Sequence, residues 1–246
     1  MTSITGRLNT YIEYPSEDGK PMAESDYQRD SLIYAVKVLE IYFQNQDDVY
    51  VSGNLLIYYK EGDENTSIAP DVFVVFGIDK RQRSSYLVWE EGKGPDFVLE
   101  ILSPGTKNND LEKKPETYAA LGVKEYFIYD PIGELMESPL KALQLVGKSY
   151  QQIAINRLSN GDFSIFSPVL GLEIRVESGK LAFYNPNTGR KLLTHQEEAA
   201  ARIVEANARI AAESRVEAET TARIAAESRI AELEALLREI QGNSDR

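Results

Sequence analysis

Cysteine is absent from this 246-residue chain, and histidine and tryptophan occur only once each. A chain without cysteine forms neither disulfides nor thiolate metal sites, which agrees with a reducing compartment. No apolar signal region begins the sequence, and no apolar run is long enough to cross a bilayer. We therefore expect a cytoplasmic protein without a membrane segment, whose chemistry depends on groups other than thiols and imidazoles.

The chain also has no excess of positive charge. It is acidic, with a formal net charge of -12. Residues 196–246 contain seven basic and eleven acidic residues, so the main part of the chain is acidic as well. This balance argues against tight, non-specific binding to nucleic acid, although it permits a local basic strip. The most basic segment is Lys80–Ser84, which we interpret either as a solvated loop or as a contact to a phosphate backbone.

Two acids lie in short apolar runs in the middle of the chain. Asp71 precedes Val72–Phe76, and Glu100 lies within Phe97–Leu102. Both runs are rich in Val, Ile, Leu and Phe and are bounded by turn residues, which predicts buried strands. A carboxylate in such a run is costly unless it is paired, protonated or bound to a metal ion. Two of them suggest one shared cation.

The remaining pattern predicts an α/β domain. Apolar residues at three- and four-residue spacing predict a helix over Tyr27–Phe43. After the Glu100 strand, Asn109 and Glu112 fit a capping box, and the strand Lys124–Asp130 follows. Strand, helix and strand with short connections indicate a parallel pair with a right-handed crossover, and hence a layered α/β fold.

The composition changes at about residue 196, where Ala, Glu and Arg become dominant. The segment Ala208–Arg215 recurs as Ala222–Arg229, two heptads later. An apolar seam of a and d positions is formed by Ile230, Leu233, Leu237 and Ile240. We predict a domain over residues 1–195 and a helical tail over 196–246. The tail would form a coiled coil with a second copy or another helix, and the alternative is a solvated single helix.

The sequence does not identify which lysine would act together with Glu100. In an acid-x-Lys active site a lysine would occupy position 102, but this position is Leu102. The following helix offers three candidates, Lys107, Lys113 and Lys114. In a regular helix, Asp110, Lys114 and Tyr118 would share one face.

An ordered set of motifs resembles the Uma2 restriction endonucleases, a bacterial branch of the PD-(D/E)XK nuclease superfamily. The set consists of Pro70-Asp71, Val98–Pro104, Asp110-x-x-x-Lys114-x-x-x-Tyr118, Gly122–Phe127 and Asp130-Pro131. The resemblance covers roughly residues 15–195. It implies a mixed sheet flanked by helices and a nuclease that cleaves phosphodiester bonds in DNA with Mg²⁺ or Mn²⁺.

The resemblance also implies roles for individual residues. Asp71 and Glu100 match metal-binding acids, which suits the oxygen ligands of Mg²⁺. Lys114 matches a catalytic lysine that has moved from the strand to the helix, and Glu24 is at the position of an accessory acid. Because Pro115 disfavours helical geometry at Lys114, Lys113 remains an alternative.

Two other functions compete with this one. The acidic balance and Leu102 suit a non-catalytic nuclease-like protein that assembles through its coiled-coil tail. Glycoside hydrolysis by paired carboxylates is a more distant alternative. The sequence does not distinguish DNA from RNA as a substrate.

Overall fold

The computed structural model describes residues 14–15 and 25–244, apart from the side chains of Leu237 and of residues 239–244. The described residues form fourteen strands: β1 (Val49–Ser52), β2 (Ile57–Tyr58), β3 (Ser67–Ile68), β4 (Val72–Phe76), β5 (Tyr86–Leu87), β6 (Phe97–Ile101), β7 (Glu125–Tyr129), β8 (Leu140–Val146), β9 (Ser149–Gln152), β10 (Asn156–Arg157), β11 (Phe163–Ser167), β12 (Leu172–Glu177), β13 (Lys180–Asn185) and β14 (Arg190–Lys191). They also form α1 (Asp26–Tyr42), α2 (Val88–Glu91), a π-helical turn (Asn109–Lys113), α3 (Lys114–Ala120) and α4 (His195–Ser244). The predicted mixed α/β fold with a long C-terminal helix is confirmed.

The chain divides into two compact units, Met1–Thr194 and His195–Arg246. The second unit contains α4, a 50-residue helix whose described side chains are exposed apart from that of Glu197, which is half-buried. Within residues 14–15 and 25–244, none of the helices combines the length and the apolar character needed to span a bilayer.

The first unit is built around a six-stranded sheet in the order β1-β4-β6-β7-β8-β9. Strands β6 and β7 are parallel, as predicted, and every other neighbouring pair in this sheet is antiparallel. All five residues of β6 are buried. Both faces of this strand are covered, which explains its nearly continuous apolar run. Glu100 is its single charged residue.

Two apolar clusters cover the two faces of the six-stranded sheet. One contains Val74, Phe97 and Leu99 and packs against α1 and against the five-stranded sheet β10–β14. The other contains Phe73, Val98, Tyr118, Tyr126 and Ile128. Side chains alternate along a strand, so Glu100 points to the second cluster, where tyrosines supply hydroxyl groups.

Asp96 connects three segments at one end of the central strands. Its Oδ2 accepts hydrogen bonds from the Phe76 N–H at 2.8 Å and from Lys93 Nζ at 2.6 Å. Lys124 Nζ lies 2.9 Å from Oδ1. Although burial favours the neutral acid, hydrogen bonds from Lys93 and Lys124 lower the pKa of Asp96 below its usual value.

We predict that Asp96→Asn lowers the free energy of unfolding by about 1–3 kcal/mol at neutral pH, because it removes a buried charge that accepts hydrogen bonds from two lysines and from the Phe76 N–H. A lowered pKa in the folded state means that this stabilisation is complete above the unfolded-state pKa of about 3.9. It is lost as the pH falls through the folded-state pKa, so the deficit of the variant should shrink in acid. Urea unfolding at several pH values measures both effects.

Asp30→Asn is the matched control, because Asp30 is an exposed acid whose ion pair with Arg29 has a length of 3.4 Å. Its effect should stay within about 0.5 kcal/mol. A deficit of Asp96→Asn that is the same at every pH would contradict the assigned role of the charge.

Candidate active site

The structure brings Asp71 and Glu100 to the same place. Strands β4 and β6 are antiparallel with Val72 opposite Leu99, so Asp71 and Glu100 follow as the next pair. The Ile101 N–H donates a 2.6 Å hydrogen bond to Asp71 Oδ2. Glu100 is 1% exposed, whereas Asp71 is partly exposed. Glu100 is therefore fully buried, and Asp71 beside it is half-buried.

Lys114 contacts Glu100 and a further acid, Asp110, whereas Lys113 contacts neither. Lys114 Nζ lies 2.8 Å from Glu100 Oε1 and 2.7 Å from Asp110 Oδ1, whereas the side chain of Lys113 is exposed. We call Asp71, Glu100, Asp110 and Lys114 the acid–lysine cluster.

Pro115 is accommodated without displacing Lys114. Lys114 has helical dihedral angles, with φ -58° and ψ -33°, and Pro115 lies in the first turn of α3, where proline is tolerated. The predicted cap at Asn109 is wrong, because the helical segment begins earlier. Ser103 caps it by accepting the Thr106 N–H on Oγ at 3.2 Å and the Lys107 N–H on its carbonyl oxygen at 3.0 Å.

Two buried tyrosines complete the surroundings of the cluster. The Tyr118 hydroxyl donates a 2.5 Å hydrogen bond to Glu100 Oε1, and the Tyr126 hydroxyl donates at 2.7 Å to the Asp110 carbonyl oxygen. Tyr118 was placed beside Lys114 by its four-residue spacing, but Tyr126 was missed. Strand alternation could have indicated Tyr126. It lies opposite Val98 in the sheet, and Val98 and Glu100 point to the same face of β6.

Burial and mutual repulsion control the protonation of the cluster. Burial, followed by the charge of Glu100, raises the pKa of Asp71 well above its usual value. Burial also raises the pKa of Glu100, although Lys114 opposes this shift. For Lys114, burial alone would lower the pKa, but Glu100 and Asp110 together raise it above the usual value. The lysine therefore stays protonated at neutral pH.

The cluster fits a divalent cation. Within the described residues, Asp71 Oδ1 and Glu100 Oε2 accept no hydrogen bond, and no three acid or histidine side chains converge on one point. Mg²⁺ commonly uses one or two carboxylates, with water and phosphate as further ligands. Three carboxylates and one ammonium group also leave two uncompensated negative charges when all are ionised. Asp71 and Glu100 are the residues that could hold the ion.

Basic side chains of the segment Lys80–Ser84 contact other groups of the protein. The Arg83 side chain is 3% exposed, pairs with Glu91 at 2.8 Å and lies over the Tyr50 ring at 4.3 Å. Lys80 Nζ donates to the Phe43 and Gln44 carbonyl oxygens at the end of α1. These contacts favour a structural role over phosphate binding. The predicted accessory acid, Glu24, lies outside the described residues.

Together, the mixed sheet and its acid–lysine cluster define an α/β domain with a candidate metal site. The chain matches the family model described as "Uma2: Putative restriction endonuclease" over residues 19–177, which is more than half of its length. It therefore belongs to the Uma2 family, as its motifs predicted, and the description of that family is that of a nuclease.

The solved structures similar to this chain include one described as a putative nuclease belonging to DUF820 from Anabaena variabilis ATCC 29413. The two sequences are 17% identical, the similarity covers 57% of this chain and 76% of the other, and the TM-score is 0.41. No curated protein matches the sequence.

Gly53 packs closely against the backbone of Asp71. A Cβ atom on Gly53 would lie 2.3 Å from the Asp71 carbonyl oxygen and 3.0 Å from Val36 Cγ2. The next residue, Asn54, has a φ of 51° and donates its N–H to the Pro70 carbonyl oxygen at 3.0 Å. The backbone before β4 therefore requires the absence of a side chain at position 53.

We predict that Gly53→Ala destabilises the domain by about 1–3 kcal/mol, because the added methyl group displaces backbone that has no free space. Since that backbone carries Asp71, the affinity for Mn²⁺ should also fall. Urea unfolding and calorimetric titration measure the two effects. Gly105→Ala is the control, because its new Cβ would have only ordinary contact, at 3.9 Å from Ser103 Oγ. Identical behaviour of the two variants would contradict the role of Gly53.

Proposed function

We propose that the protein is a divalent-metal-dependent endonuclease that hydrolyses phosphodiester bonds in DNA. The observation that carries this proposal is the position of Asp71 beside Glu100 on the inner strands β4 and β6, together with the 2.8 Å contact between Lys114 and Glu100. Membership of the Uma2 family supports it, because the family description is that of a restriction endonuclease. These three residues are the proposed catalytic residues, and Asp71 and Glu100 are the proposed metal ligands.

A bound Mg²⁺ or Mn²⁺ would supply an activated water molecule and positive charge for the reacting phosphate. Asp71 and Glu100 would bind and orient the ion through their carboxylate oxygens. Tyr118 holds Glu100 Oε1 by its hydrogen bond, which leaves Oε2 as the available oxygen. The buried surroundings restrict water around Glu100, and charge interactions are stronger in such an environment.

Lys114 is suited to donate hydrogen bonds rather than to accept a proton. Its raised pKa keeps the ammonium group charged at neutral pH. A charged lysine beside the metal ligands would stabilise negative charge on a phosphate oxygen or orient the attacking water. We therefore assign it electrostatic stabilisation and not the role of a general base.

A second candidate function is assembly through α4. Its apolar side chains remain exposed, with Ile210 and Ile224 both 57% exposed. The repeated pairs Arg209–Glu213 and Arg223–Glu227, at 3.6 and 3.5 Å, join charges within the helix. A second copy of the same helix would bury apolar side chains such as Ile210 and Ile224. A nuclease-like domain could thereby act as an assembly module without catalysis.

The catalytic proposal predicts that purified protein nicks or cuts DNA only with Mg²⁺ or Mn²⁺. Asp71→Asn, Glu100→Gln and Lys114→Met should each lose on the order of 100-fold or more in rate, because each removes charge aligned with the reacting phosphate. Conversion of a supercoiled plasmid measures the rates, and circular dichroism checks that the variants fold.

Lys113→Met and Glu112→Gln are the controls, because both side chains are exposed on the same helical segment. Both should retain activity within about threefold of the unsubstituted protein. If the unsubstituted protein leaves single- and double-stranded DNA intact with either metal, catalysis is excluded and assembly becomes the better proposal.

The assembly proposal predicts that the full chain is a dimer and that Ile210→Asp with Ile224→Asp converts it to a monomer. Light scattering with size exclusion measures the mass. Ala212→Asp with Ala226→Asp is the control, because these residues are two positions further along and face away from Ile210 and Ile224. A monomeric unsubstituted protein would exclude self-assembly through α4.

A further inference from the structure

Asp110 is a buried acid to which the sequence assigned no function. It lies in the π-helical turn and is 1% exposed. Its N–H donates to the Thr106 carbonyl oxygen at 2.9 Å, and its own carbonyl oxygen accepts the Tyr126 hydroxyl. The backbone of Asp110 is thus fixed towards the preceding turn and towards β7. π-Helical turns are rare and occur frequently at functional sites.

The carboxylate of Asp110 faces Lys114. The distance from Asp110 Oδ1 to Lys114 Nζ is 2.7 Å, but its angles are not those of a hydrogen bond, so this oxygen is held by charge. Lys114 Nζ also lies 2.8 Å from Glu100 Oε1. One ammonium group is therefore held from two sides, by a carboxylate of the strand and by a carboxylate of the helix.

Two contacts fix a lysine better than one. The lysine side chain is flexible and loses considerable rotamer freedom when it is immobilised. A single ion pair with Glu100 would leave the ammonium group able to move around that carboxylate. Asp110 removes this freedom because its own position is set by the surrounding backbone.

We propose that Asp110 is a positioning residue that fixes the ammonium group of Lys114 beside Glu100 and is not a third metal ligand. Within the described part of the chain, Asp71, Glu100 and Asp110 do not converge as a three-ligand metal site. The catalytic consequence rests on the proposed nuclease function, but the position of the ammonium group does not.

The first test observes Lys114 directly by NMR of protein with ¹⁵N-labelled lysine. An ammonium group held by two buried carboxylates should exchange its hydrogens slowly and give a resolved signal that disappears in Lys114→Met. Asp110→Asn should accelerate this exchange by about tenfold or abolish the signal, because one of two ionic partners is lost. Glu112→Gln should leave the signal unchanged.

The unsubstituted protein alone can overturn the proposal. If it shows no slowly exchanging Lys114 ammonium signal, the lysine is not fixed, and this result does not depend on whether Asp110→Asn folds. A signal that is the same in the folded Asp110→Asn variant would overturn the role of Asp110. Both outcomes can be read even if the protein cleaves no DNA.

Calorimetric titration with Mn²⁺ separates a positioning residue from a ligand. Asp110→Asn should bind Mn²⁺ within about threefold of the unsubstituted protein, whereas loss of a ligand or of its close support costs about 10–100-fold or more. A loss of that size in Asp110→Asn would make Asp110 part of the metal site and overturn the proposal.

If the protein cleaves DNA, a double-substitution cycle gives the final test. A residue that acts only through Lys114 has no effect once the lysine is removed. The double variant Asp110→Asn with Lys114→Met should therefore be as slow as Lys114→Met alone, with the KM for DNA unchanged. Independent losses that multiply would show that Asp110 acts on the reaction by another route.

Discussion

The ammonium group of Lys114 lies between the carboxylates of Glu100 and Asp110, and the candidate site depends on this contact. Removing a charge from water costs several kcal/mol per ion, so a buried charge needs a partner. Glu100 lies on β6, Asp110 on the π-helical turn and Lys114 at the start of α3. The contact therefore joins the central strand to the helix that crosses it, and the removal of Lys114 leaves two buried carboxylates without their cation.

Asp71 is brought to the same place through the backbone rather than through an ion pair. Its carboxylate accepts the N–H of Ile101, the residue after Glu100. The close approach of Gly53 supports the backbone from the other side. Asp71 is consequently held next to Glu100, although burial and then the repulsion by Glu100 raise the pKa of Asp71. The arrangement is suited to a cation, because it keeps two acids together without neutralising both of them.

The sequence predicted the parts of this site that follow from periodicity. Asp71 and Glu100 were found because a charge within an apolar strand is conspicuous, and the parallel crossover follows from the order of elements. The resemblance favoured Lys114, but periodicity alone left Lys113 as an alternative, since the choice depends on how the π-helical turn and the start of α3 accommodate Pro115. The basic segment was similarly ambiguous, because the pairing of Arg83 with Glu91 requires a fold that brings them together.

Charge also connects the proposed substrate to the proposed metal. The chain carries a net charge of -12, and a DNA backbone would bring further negative charge to an acidic cluster. Within the described residues, the buried guanidinium of Arg83 is already paired and Lys80 binds the end of α1. Under the proposed function, Lys114 and a divalent ion would both offset the charge of a phosphate at the site. Binding of metal and binding of DNA would consequently support each other, since each supplies charge that the other requires.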